Sequence, residues 1–199
     1  MRALARRIRR PVVLADRSGV SAIEFAVIAP VFIMMIMVCF DYGQMVYAMG
    51  VLDGAVEKAA RDSSIESGDT TQADAKVREV MQDILPNAEV TSQRRSYFDF
   101  VDVDRPERWN DANNDGTCST GENFVDENSN GTWDSDVAKT GNGGANDVVI
   151  YTVTVRYVSV YGSMILPMGT AEREFSSTTV RRNQPYALQD NAGSEAGIC

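Results

Sequence analysis

The chain has 199 residues, 44% of them apolar and 24% charged, which suits one folded domain with an apolar segment to spare. The net charge is −9, but residues 1–19 hold Arg2, Arg6, Arg7, Arg9, Arg10 and Arg17 against Asp16, a balance of +5 that leaves −14 on the remainder. An acidic body excludes nucleic acid as a partner, since nucleic acid binds basic surface by displacing counterions. The absence of His removes the commonest general base and transition-metal ligand.

Residues 25–40 carry no charged side chain, and with the softer flanks of 19–49 the run approaches the roughly 20 residues that cross a bilayer as a helix. At about 1.5 Å per residue, Glu24 and Asp41 lie roughly 25 Å apart, near opposite faces of the hydrocarbon layer. Tyr42 and Tyr47 fall at the outer interface, where amphipathic rings are favoured. The basic flank stays cytoplasmic, so the N-terminus is expected inside and the chain beyond about residue 52 outside, a single-pass topology for a bacterial inner membrane. A cleavable secretory signal fits less well, because the apolar run extends to about residue 40 and is interrupted by Glu24 and Pro30. Glu24 needs either the interface or a positive partner. Cleavage after Gly19 would place a new ammonium on Val20, four residues before Glu24 and within helical pairing distance.

The helix is expected to continue to residue 64, with Met45, Ala48, Leu52, Ala55 or Val56, and Ala59 forming one apolar stripe. Glu57 and Arg61 stand at i and i+4 as a surface ion pair, and Gly50 and Gly54 form a small-xxx-small pair that admits a close neighbour. Gly68 is the expected terminator. A second helix is predicted over 71–85, with Ala73, Val77, Val80, Met81, Ile84 and Leu85 at helical period and Pro86 as its stop. Strands are predicted over 97–103, 148–160 and 172–181, the last two separated by turn residues Gly162, Pro167 and Gly169. The fold class is α+β: a long transmembrane helix with a small antiparallel sheet against its outer half.

Residues 104–146 break this pattern with Asp, Asn and Gly and few apolar residues. Within them, residues 111–122 fit D-x-[DN]-x-[DN]-G-x5-E: Asp111, Asn113, Asp115, the Gly116 turn, the Thr117 carbonyl, Ser119 through water, and bidentate Glu122. Hard oxygen donors around a tight turn select Ca²⁺. Fifteen residues later the pattern recurs with Asp126, Asn128, Asn130, Gly131, Thr132 and Asp134, but position twelve is Val137, so that loop lacks its glutamate. Pro106 and the turn-rich surroundings offer no flanking helices, and the site reads as a structural calcium loop of the extracellular kind, set against a solvated Asp/Asn turn cluster without an ion. Cys39 sits in the apolar run. Cys118 and Cys199 are the only possible pair outside the membrane, where a disulfide is permitted.

The basic leader, Gly19, four small or apolar residues, Glu24, Phe25 and a long apolar helix resemble the start of type IV prepilins. More narrowly, residues 18–36 followed by 55–68 are similar to the TadE family of minor pilin-like proteins of the Tad (Flp) pilus system. The resemblance implies processing by a prepilin peptidase between Gly19 and Val20, an assembly role for Glu24, and a pilin-like fold. It places Pro30 on the family's helix-embedded proline and Ala59, Ala60 and Arg61 on its Ala-Ala-Arg. At residues 180–186 the family's Arg-Asn-Glu-Pro is echoed with Gln184 in place of Glu. The implied partners are the peptidase, other pilins and inner-membrane pilus assembly proteins. The organisation expected is a leader (1–19), an anchor helix (20–64), a helix with the first strands (65–103), the calcium-loop insertion (104–146), further strands (147–186) and a tail (187–199). The competing reading is an unprocessed single-pass protein displaying a Ca²⁺-stabilised binding or adhesive domain. An enzyme is not expected, since no nucleophile, phosphate-loop or zinc motif is present.

Overall fold

The computed structural model describes residues 19–65, 69–159, 172–185 and 195–199. The leader arginines, Gly68 and the turn containing Gly162, Pro167 and Gly169 lie outside them. Helix α1, Val20–Ser63, runs 44 residues, about 66 Å at the usual rise. Its two halves differ. Through the first half Ile23, Phe25, Val27, Ile28, Val31 and Phe32 are all exposed, and this helix is long and apolar enough to cross a membrane. Pro30 lies inside it, at the cost of one amide donor. In the second half Ala48, Leu52, Val56, Ala59 and Ser63 are buried, a single stripe at steps of three to four.

That stripe meets helix α2, Thr70–Ile84, through Ala73, Val77 and Met81. Asp69 starts α2 by accepting a hydrogen bond from the Gln72 amide at 3.0 Å, the cap that spares an orphan N–H. Strands β1 (Glu89–Tyr97), β3 (Lys139–Thr140), β4 (Val148–Val158) and β5 (Glu172–Arg182) form one antiparallel sheet in the order β3-β1-β4-β5. Tyr151, Val153, Val155 and Tyr157 alternate along β4, and with Phe175 of β5 they close the core against Leu52, Val56 and Met81. A two-stranded ribbon pairs β2 (Asn123–Asp126) with β6 (Glu195–Ile198). The chain is thus α+β, a long N-terminal apolar helix followed by a small antiparallel-sheet head.

Two local expectations are corrected. The strand predicted over 97–103 ends at Tyr97; beyond it Phe98 is exposed and residues Phe100–Asp102 form a 3₁₀ turn with Asp99 and Asp102 as a reciprocal capping box. The strand lies instead at 89–97, whose polar sequence gives no apolar alternation. Its buried residues include Arg94, held by Asp74 of α2 at 2.6 and 2.7 Å and stacked on the Tyr151 ring at 3.9 Å. The ion pair expected between Glu57 and Arg61 is also replaced: Glu57 accepts from Thr179 Oγ1 at 2.8 Å and pairs with Arg181, both on β5. Helix α1 therefore clamps the sheet edge through charge as well as through its apolar stripe.

Candidate functional site

Three places carry the residues singled out above. At the start of α1, Gly19 is the cap residue and its carbonyl accepts from Ile23 N at 3.2 Å. Val20 opens the helix and Glu24 follows one turn later, exposed and without an ion pair among the described residues. Gly50 and Gly54 lie on an open face, with nothing within 4 Å of where a Cβ would be added.

At the far end of the apolar half, Asp41 is 5% exposed. It accepts from Ser159 Oγ and pairs with Arg173 Nη2 at 2.9 Å, while the same guanidinium lies 5.3 Å from the Tyr42 ring. The head is thus bolted to the helix at the last turn before the apolar segment. Arg173 is far from Asp41 in sequence, so nothing local predicts the pairing.

The third place is the insertion, which folds by satisfying its own backbone with carboxylates. In the first loop Asp111 accepts from Asp115 N at 3.1 Å and Gly116 N at 3.0 Å, and Asn113 Oδ1 accepts from Asp115 N at 2.9 Å. Asp115 takes Thr117 N, Thr117 Oγ1 and Ser119 Oγ, each at 2.8 Å, and Asn113 Nδ2 at 2.9 Å. The Ser119 and Thr117 donations hold its carboxyl down at about 2. Glu122 is buried and bonds back across the loop to the amides of Ala112 and Ser119, both at 2.8 Å. Asn114 and Gly116 take the positive φ that lets so few residues reverse direction.

The second loop curls the same way. Asp126 accepts from Ser129 N at 2.6 Å and Gly131 N at 2.7 Å, Asn130 Oδ1 accepts from Thr132 N at 2.8 Å, and Asp134 Oδ2 accepts from Asn128 Nδ2 at 2.8 Å. Val137 is buried with Tyr97 and Val148 in a small second core, so the counted twelfth position belongs to packing. Among the described residues, no group of three or more His, Cys, Asp and Glu side chains is gathered where one ion could touch all of them. The oxygens of each loop are presently occupied by N–H and O–H donors.

Beside the loops, Glu127 lies between Arg105 (2.8 Å) and Arg108 (3.0 Å). The Arg105 bonds, outweighing burial and helped by Arg108, hold the Glu127 carboxyl down at about 2. Trp109 and Trp133 meet edge to face, centroids 5.1 Å apart. Cys118 is joined to Cys199 with Cα atoms 5.8 Å apart, and the Cys199 backbone bonds Glu122 O at 3.0 Å and Gly121 N at 3.2 Å. The described C-terminal residues are therefore sewn to the first loop. Cys39 is exposed on the apolar half of α1.

An apolar anchor helix that becomes the spine of an α+β head defines the class: a membrane-anchored protein with one N-terminal span. Residues 19–61 match the model of the TadE-like protein family, so the segment from the cap of α1 to Arg61 is similar to that family. No curated protein and no solved structure matches the chain.

Proposed function

We propose that this chain is a minor pilin-like subunit of a Tad (Flp) pilus, anchored in the inner membrane with its head outside, and processed by a prepilin peptidase between Gly19 and Val20. The observation that carries the reading is the division of α1. Its first half is apolar and unpacked against the head, and Glu24 stands one turn from Val20 within the TadE-like segment. Cleavage supplies the ammonium that Glu24 lacks, on the same helix or on a neighbour in a bundle of pilins and assembly proteins. The head then primes, caps or decorates the fibre, a structural rather than catalytic role. Replacing Gly19 by Leu should leave the leader attached, seen as a larger intact mass. Glu24→Gln should be processed yet fail to enter pili. Normal processing of the first variant and normal assembly of the second would overturn the reading in favour of an unprocessed membrane protein displaying an adhesive domain.

The insertion is read as a Ca²⁺-stabilised element of that head. Its donors are all oxygens: Asp111, Asn113, Asp115, the Thr117 carbonyl, Ser119 and Glu122 in the first loop, and Asp126, Asn128, Asn130, Thr132 and Asp134 in the second. Both turns are already formed by the bonds to Asp111 and Asp126, so the ion would displace side-chain donors such as Asn113 Nδ2 and Ser119 Oγ rather than refold the backbone. An affinity of about 10⁻⁴ to 10⁻³ M is usual for extracellular loops of this kind. Added Ca²⁺ should raise the melting temperature and protect the insertion from protease; identical melting in chelator and in millimolar Ca²⁺ would remove the reading.

A further inference from the structure

A shift of 15 residues lays one half of the insertion on the other: residues 107–119 on residues 122–134. The shared pattern is Glu107 and Glu122 first, then Trp109 and Phe124, Asp111 and Asp126, Asn113 and Asn128, Asp115 and Asn130, Gly116 and Gly131, Thr117 and Thr132. The backbone follows the sequence. Asn114 and Ser129 have φ of 58° and 63°, and Gly116 and Gly131 have 78° and 82°. The halves also face each other across an approximate two-fold. Asn110 N donates to Asn123 O at 2.9 Å, Val125 N donates to Arg108 O at 2.8 Å, and Trp109 bridges Phe124 between them. Each of these two bonds is the other's image under the shift.

The two glutamates cross this axis. Glu122 accepts from the amides of Ala112 (2.8 Å), Asn113 (3.4 Å) and Ser119 (2.8 Å) in the first loop. Glu107 accepts from Glu127 (2.7 Å), Asn128 (3.2 Å) and Asp134 (3.1 Å), the same three positions of the second loop. Its side chain is fully buried, and among the described residues no Lys or Arg pairs with it, Arg105 and Arg108 being engaged by Glu127. A buried carboxylate facing an acidic loop without a counter-cation is costly. Three amides use three of its roughly four acceptor positions, leaving capacity for a cation.

We propose that Glu107 is the carboxylate missing from the second loop, so that the insertion is one reciprocal unit for two Ca²⁺ ions, each loop completed by the glutamate of the other half. This rests on the calcium reading of the loops, and it alone predicts the stoichiometry and the residue.

The test is calorimetric titration of the full-length protein in detergent micelles, stripped with chelator and then given CaCl₂. Wild type should bind two ions per chain, and Glu107→Gln one. Asn130→Asp adds the carboxylate that Asp115 supplies in the first loop, at the loss of the Asn130 Nδ2 bond to Asp134. It should tighten one of two sites by about tenfold, since affinity follows ligand charge. Retention of the Cys118–Cys199 bond and of the remaining site shows that Glu107→Gln is folded. One ion in wild type and still one in Glu107→Gln overturns the role of Glu107 while leaving the first loop as a calcium site. Two ions in Glu107→Gln, or no change in either site of Asn130→Asp, also overturns it. No binding by wild type overturns the calcium reading and this inference together.

Discussion

The first half of α1 and the insertion are opposite solutions to the same problem, that every backbone polar group must find a partner. The helix satisfies its amides internally and, Ser21 and Glu24 apart, displays mainly apolar side chains, so what it lacks is a surface to lie against. The insertion has few apolar contacts beyond the Trp109–Trp133 pair and Val137 and satisfies its amides with carboxylates from Asp111, Asp126, Glu107 and Glu122, so what Glu107 lacks is a positive partner among the described residues. On the function proposed above, one region awaits lipid and neighbouring helices, the other a cation. Between them, the second half of α1 is held on all counts by α2, the sheet and the Asp41–Arg173 bolt.

The largest effect is expected where the insertion is stapled. The Cys118–Cys199 bond spans a sequence separation of 81, and closing a loop of that size stabilises by about 4 kcal/mol in the chain-entropy model. Cys118→Ser should therefore lower stability in denaturant titration by an amount of that order, and extra Ca²⁺ should recover part of it. Next comes Leu52→Ala, in the fully buried stripe, which should cost about 3 kcal/mol by transfer and cavity terms. Ile33→Ala on the same helix is exposed in the head's own structure and should leave the melting temperature of the head unchanged. That pair of variants divides α1 into its two halves directly, and equal losses would erase the division.

Helices and the strongest strand are readable from periodicity. The pattern predicts a helix over 71–85 and the structure forms α2 at Thr70–Ile84; it predicts a strand over 148–160 and β4 is Val148–Val158. Strand β1 escapes such reading because between Val90 and Tyr97 its sequence is polar and it buries Arg94 against Asp74 and Tyr151, and period-two hydrophobicity cannot register a buried ion pair. Glu107 escapes for a different reason. Counting forward from Asp126 places the twelfth position at Val137, whereas the residue proposed above to fill it comes from upstream across the two-fold; aligning the repeats from their glutamates onward would have found it. Asp41 has no local signal at all, since its partner arrives from β5.

The buried Asp74–Arg94 pair gives a smaller, pH-dependent effect. Burial pushes the Asp74 carboxyl up, but bonds from Arg94, Tyr151 and Ser92 outweigh it and hold the group below the usual range. A depressed folded value contributes stability above the unfolded carboxylate range near 4 and loses it as pH falls through the folded value. Asp74→Asn should cost about 2 kcal/mol at pH 7, since it strands a buried guanidinium, and the gap from wild type should narrow below pH 4. The smallest effect belongs to Arg156 and Glu174, both about half exposed. Their separation by Arg156→Ala should change stability by less than about 0.5 kcal/mol.

The anchor half of the comparison stands on one covalent fact. Intact mass and N-terminal sequencing of the protein recovered from cell membranes should show Val20 as the first residue, with Glu24 one turn behind a free ammonium. A chain that still begins at Met1, with its arginine leader in place, would contradict the account.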